Sequence, residues 1–280
     1  IGQNCDIGEG EDPLRATPPP WGLMPWPWWI NWSGDIDITG NKKPQSYYRD
    51  VVWGESQVEL AVHEPIPAGK IENVGAWGWP AEFQSWNWAG QEGRKVQVNV
   101  YSRASQVRLE LNGRVLAEQE IDPAVSITAS FVVPYAPGTL KASALSDGRV
   151  IATRELVTTG APAALKLAPE TQGLTATRGT LVYIPIEVVD SDGRLVPDAA
   201  VSFDVAIAGP AELVAFGTAD PTELSSLRDS QTRSFRGRAL AILRLAGEPG
   251  GVTVTARGAG LQQAVAVIEP PLARQPVSAK

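Results

Sequence analysis

The sequence is poor in the residues from which most reactive sites are built. One cysteine, Cys5, and one histidine, His63, stand in 280 residues. A single cysteine forms no internal disulfide, so the redox compartment is not readable from it. One Cys with one His excludes a Cys/His zinc site. A Ser–His–Asp triad would have to use His63, and no Gly-x-Ser-x-Gly elbow is present. His63 lies in QVELAVHEP, where alternation reads as a strand nearing its end, and Cys5 reads as a small packed hydrophobe rather than a nucleophile. No run of 18 or more apolar residues occurs, so no helical membrane span is expected. The chain starts at Ile1 and its one methionine is Met24; this reads as a processed or truncated start, with any signal peptide lying outside the sequence.

Tryptophan is missing from everything after Trp88, about two thirds of the chain. All ten tryptophans crowd the other end: Trp21, Trp26, Trp28, Trp29, Trp32 and Trp53, then Trp77, Trp79, Trp86 and Trp88. An indole offers a large apolar face and one N–H donor, which suits a sugar-stacking platform and tight loop packing alike. The net charge of −7 leaves no basic footprint for nucleic acid. At 43% hydrophobic and 20% charged, with 27 Gly and 23 Pro, the composition is that of a turn-rich globular β protein.

Residues 1–20 show no periodicity, end in three prolines, and read as an exposed loop carrying Glu9, Glu11 and Asp12. Three carboxylates so close on an irregular segment read as a solvated loop before they read as a glycosidase pair. Pro25 and Pro27, interleaved with tryptophans, oppose helix. In Gly34-Asp35-Ile36-Asp37-Ile38 the two aspartates fall on one side of an extended segment. They would accept either sugar hydroxyls or the N–H groups of their own turn, and the structural role is preferred. Residues 41–53 read as a helix with Asn41 at the N-cap, Pro44 in the first turn and Gly54 as the stop. Its stripe of Tyr47, Tyr48, Val51 and Val52 is expected to pack on something outside this chain.

From residue 56 the period becomes two. Asn112-Gly113 and Asp147-Gly148, each between alternating runs, read as hairpin turns. About seven short strands in a hundred residues is the signature of an immunoglobulin-like sandwich, and a second set of about seven follows residue 160. Trp86 and Trp88 share a face, which reads as a core face before a glycan platform. Asp192-Gly193 reads as a turn, residues 220–236 as a long irregular loop, and the Pro-rich tail as disordered.

These stretches also resemble a known family. The runs Gly34-Asp35-Ile36-Asp37-Ile38 and Lys43-Pro44-Gln45-Ser46-Tyr47-Tyr48-Arg49-Asp50 resemble the end of the catalytic barrel in glycoside hydrolase family 2, in its β-galactosidase-like branch. Trp77-Gly78-Trp79-Pro80, Ser85-Trp86-Asn87-Trp88, Leu109-Glu110-Leu111-Asn112-Gly113 and Val133-Pro134-Tyr135-Ala136-Pro137-Gly138 resemble the accessory β domain that follows. Val188-Val189-Asp190-Ser191-Asp192-Gly193 and the segment from Gly217 to Pro221 resemble the family's bacterial Ig-like C-terminal domain.

The resemblance implies a mainly β chain: two Ig-like β-sandwiches preceded by the last loop and helix of a (β/α)8 barrel. The implied divisions are 1–54 for the barrel remnant, 55–159 and 160–270 for the sandwiches, and 271–280 for the tail. It further implies a retaining exo-glycosidase acting on terminal β-galactosides, whose acid/base and nucleophile glutamates lie upstream. No catalytic residue is therefore carried over, and the chain alone is expected to be inactive. Trp29, Trp32 and Asp35 are the implied sugar contacts, with no metal and no cofactor. The implied partners are a β-linked oligosaccharide or polysaccharide and the enzyme's N-terminal barrel portion; homo-oligomerisation stays open. The implied location is the bacterial periplasm or exterior. Galactoside, glucuronide and mannoside enzymes share this architecture, so the sugar is open too. A non-catalytic carbohydrate-binding module, or a purely structural Ig-like module, is the alternative, since fold alone does not decide function.

Overall fold

Among the described residues, short extended runs punctuated by positive-φ glycines dominate, and one helix interrupts them early. The computed structural model describes residues 14–15, 27, 34–68, 71–72, 74 and 79–269. The chain divides into two compact units, Ile1–Thr158 and Thr159–Lys280. Among the described residues no helix is long and apolar enough to cross a membrane.

In the first unit, β1 (Leu14–Arg15) pairs antiparallel with β3 (Ile71–Glu72), so the opening segment is not all loop. Helix α1 (Pro44–Trp53) follows. One sheet has the order β4-β2-β5-β8, built from β2 (Val58–His63), β4 (Glu82–Phe83), β5 (Lys95–Ser102) and β8 (Thr128–Pro134). The other has the order β10-β9-β6-β7, from β6 (Gln106–Leu111), β7 (Arg114–Glu120), β9 (Thr139–Ser146) and β10 (Arg149–Val157). Inward residues alternate along each strand: Leu60, Val98, Val100 and Phe131 from the first sheet meet Val107, Leu109, Leu140 and Ala144 from the second. Each Val, Leu or Phe among them, once fully buried, contributes roughly 1.5–3 kcal/mol of apolar transfer.

Both predicted hairpins are present. Asn112 and Gly113 have φ of 52° and 77° between β6 and β7, and Asp147 and Gly148 have 50° and 73° between β9 and β10. A pair of positive φ values is what a type I′ turn demands, and it matches the strands' right-handed twist.

The second unit has the order β11-β12-β16-β14 facing β15-β13-β17-β18. The strands are β11 (Ala164–Leu167), β12 (Leu181–Val189), β13 (Ser202–Ala208), β14 (Ala211–Gly217), β15 (Gln231–Arg233), β16 (Arg238–Leu245), β17 (Val252–Gly258) and β18 (Ala264–Ile268). Its core centres on Phe203 and Phe216, edge to face with centroids 5.6 Å apart. The segment read as one long loop contains β15, which pairs with β13 through Phe203 and Thr232. Three residues are too few to show alternation. The tail at 271–280 lies outside the described residues, as do Cys5, Glu9, Glu11 and Asp12.

Two expectations for the helix are corrected. Asn41 does not cap it: Lys43 holds the cap position, extended at ψ 168° with no side-chain cap bond, because Pro44 occupies the first turn and forces its predecessor out of the helical region. Nor does the stripe wait for a partner outside the chain. Tyr48, Val51 and Val52 pack on Ala61, Tyr101 and Ile127 of the first sandwich and on Trp79. Gly54 ends the helix as expected, left-handed at φ 81°.

Candidate functional site

Of the residues read as sugar contacts, Asp35 lies at a tight corner just before α1. Trp29 and Trp32 lie outside the described residues. Asp35 is described, half-buried, with its carboxylate ion-paired to Arg49 of the helix. Its carbonyl accepts from the Lys43 N–H at 2.8 Å and from the Ser46 hydroxyl. Gln45 donates its side-chain amide to the Gly34 carbonyl at 2.6 Å. The first two turns of α1 therefore spend three side chains on fastening Gly34 and Asp35.

Asp37 takes the structural role that its position on a turn predicts. Its Oδ1 accepts from the N–H groups of Thr39 (2.9 Å) and Asn41 (3.0 Å) and from the Thr39 hydroxyl (2.8 Å). The two aspartates thus separate in role: Asp37 closes the turn, while Asp35 stands beside a cation that is a third exposed. An Arg–carboxylate pair at a partly open corner is suited to hydrogen-bonding vicinal hydroxyls, since the guanidinium carries five donors. Lys42 and Asp50 add an ion pair at 2.7 Å, which holds the Lys42 ammonium above its usual pKa.

Beneath the helix lies a polar cluster that the sequence did not announce. Glu82 is wholly buried on the outer face of the first sheet. Its Oε1 accepts from Trp79 Nε1 at 2.6 Å and from the Tyr101 hydroxyl. Its Oε2 accepts from Asn99 Nδ2 at 2.8 Å and lies 3.4 Å from His63 Nε2. Asn99 in turn accepts from the Ser130 hydroxyl at 2.8 Å. His63 ends β2, as its pattern predicts, with Nδ1 4.0 Å from Glu72, which also accepts the Ala81 N–H at 3.0 Å. Burial, and then the charge of Glu82, push the Tyr101 phenol far above its ordinary range, so it remains a donor. The available signal was the outward run of His63, Gln97, Asn99 and Tyr101 on β2 and β5; that Glu82 would cover it from a two-residue strand was not visible. Among the described residues no group of three or more His, Cys, Asp or Glu side chains is placed to hold a metal ion.

Trp86 and Trp88 belong to the core rather than to a platform. Trp86 is 1% exposed, donates Nε1 to the Ala136 carbonyl at 2.9 Å, and meets Tyr135 at 4.9 Å between centroids. Trp88 packs against the same cluster, and its backbone N–H bonds the Tyr135 hydroxyl at 3.2 Å. In the second unit, the buried Asp190 carboxylate accepts from the N–H groups of Gly160 (3.0 Å), Asp192 (3.0 Å) and Arg194 (2.9 Å). Those bonds, led by the one from Gly160, lower its pKa and identify it as a turn organiser.

Comparison with known proteins finds a match within each unit. Residues 165–267 match the model described as glycoside hydrolase family 2 C-terminal domain 5, and residues 93–152 match a domain of unknown function, DUF4982. A β-galactosidase of Bacteroides ovatus is 28% identical over 253 residues, which is 89% of this chain and 26% of that protein. A β-glucuronidase of Formosa agariphila is 28% identical over 182 residues, 64% of this chain and 16% of that protein. The crystal structure of a glycosyl hydrolase family 2 member from Bacteroides cellulosilyticus superposes with a TM-score of 0.78 at 32% identity, covering 84% of this chain and 31% of its own. The chain spans about a quarter or less of the length of the curated relatives it matches.

Proposed function

We propose that this chain, whose sequence and fold are those of the C-terminal portion of glycoside hydrolase family 2 enzymes, serves a retaining exo-glycosidase as pocket wall and scaffold. On this reading the acid/base and nucleophile glutamates stand on a barrel outside residues 1–280, roughly 5–5.5 Å apart as a covalent glycosyl intermediate requires. Residues 1–54 close that barrel, 55–159 form an Ig-like accessory sandwich, and 160–270 form the C-terminal one. The substrate is a terminal β-galactoside, and Asp35, Trp29 and Trp32 face the sugar.

The observation that carries this reading is the collinear match of 89% of the chain to 26% of a β-galactosidase. Two features of the structure support it. The ordered corner at Gly34–Asp35 is fastened by three side chains of α1, which is what a fixed pocket wall needs. The burial of Trp86 removes a platform that a free glycan-binding module would use. β-Glucuronidases among the relatives make a β-glucuronide the competing substrate. The test is side-by-side hydrolysis of nitrophenyl β-galactoside and β-glucuronide by the longer polypeptide that carries both barrel and this chain. Preference for the galactoside supports the reading, and preference for the glucuronide overturns its substrate.

A further inference from the structure

Glu82 is the one acceptor shared by two rings that flank the same helical residue. Trp79 Nε1 and the Tyr101 hydroxyl both donate to its Oε1. Both of those rings pack on Tyr48 of α1, Trp79 at 5.4 Å and Tyr101 at 5.3 Å between centroids. On its other side α1 holds the corner, through Gln45 to Gly34 and through Ser46 and Arg49 to Asp35.

We infer that Glu82 is a positioning residue: it orients the Trp79 and Tyr101 rings as a clasp on Tyr48, and the clasped helix sets the Gly34–Asp35 corner. An unpaired carboxylate wholly buried on a sheet face would be costly, so these donors are bound to it as firmly as it is to them. The coupling is local: it runs through one carboxylate, two rings, one helical side chain and the first two turns of α1. That the corner walls a sugar pocket rests on the function proposed above; the coupling itself does not.

The test is amide exchange followed by NMR on the full 280-residue chain, which needs no sugar. Asp37, Asn41 and Lys43 report on the corner, since their N–H groups bond Asn41, Asp37 and Asp35 respectively. Val98, Val100 and Val254 report on the two cores. Glu82→Ala should speed corner exchange about tenfold, with the core amides unchanged, and Glu82→Gln, which keeps a carbonyl acceptor for both rings, about threefold or less. Should Glu82→Ala fail to fold, Tyr101→Phe keeps the ring, removes one donor, and should speed the corner about threefold. In a Tyr48→Ala background the effect of Glu82→Gln or Tyr101→Phe should vanish. Corner exchange that stays at the wild-type rate, that rises only together with the cores, or that responds undiminished without Tyr48 overturns the inference while leaving the glycosidase reading intact.

Discussion

Tyr48 of the helix meets Tyr101 of β5 edge to face, centroids 5.3 Å apart and planes at 89°. That contact is the seat of α1 on the first sandwich, with Val51 fully buried beside it. Tyr48→Ala removes a half-buried ring from this seat and should cost about 2–3 kcal/mol, below the range for fully buried aromatic truncations. Urea unfolding of the first unit should show it as a lower midpoint, with the transition of the second unit unmoved. A change below about 0.5 kcal/mol, the range of ordinary surface substitutions, would mean that α1 does not draw on this seat.

A second prediction concerns Gly138, where two costs coincide. Its φ is 135°, and an added Cβ would come within 1.9 Å of Asn112 Oδ1. Asn112 accepts the Thr139 N–H at 2.8 Å and donates to the Pro137 carbonyl at 3.1 Å, so it ties the hairpin tip to the start of β9. Gly138→Ala should destabilise the first unit by about 2–3 kcal/mol, combining backbone strain with a displaced amide. Gly113→Ala, at φ 77° with nothing within 4 Å, should cost only about 1–2 kcal/mol. Equal costs in denaturant titrations would contradict the steric part of this argument.

Acid sensitivity of the second unit should trace to Asp190. Its folded pKa is depressed below 3.8, first by the Gly160 N–H and then by that of Arg194. A depressed carboxylate contributes stability that is fully present above the unfolded pKa and is lost as pH falls through the folded value. The melting temperature of the second unit should therefore decline as pH drops below about 4, and Asp190→Asn should be less stable at neutral pH with a flatter acid limb. Melting curves at pH 7, 4 and 2.5 decide it, and an acid limb as steep in the variant as in the wild type would remove Asp190 from this role.

Features governed by local backbone chemistry were legible in the sequence. Asn112-Gly113, Asp147-Gly148 and Gly54 each need positive φ and each has it. The inward valines of β5 and β8 alternate as written. Three things were missed, the first for want of long-range information. Alternation marked Gln97, Asn99 and Tyr101 as facing outward, but not that Glu82, Trp79 and α1 would cover them. Strands of two or three residues, β4 and β15, carry no period. Helix capping moved from Asn41 to Lys43 because Pro44 dictated the boundary. At the site itself, the pairing of Asp35 with Arg49 and the turn built by Asp37 divided two aspartates that looked equivalent on an extended segment.

The most direct measurement is hydrolysis of nitrophenyl β-galactoside by the 280-residue chain alone, followed over hours at micromolar protein. The proposal places both catalytic glutamates elsewhere, so release of nitrophenol should equal that of buffer. Turnover above buffer, abolished by replacing a glutamate of this chain, would contradict the assignment of wall and scaffold and would place the chemistry within these residues.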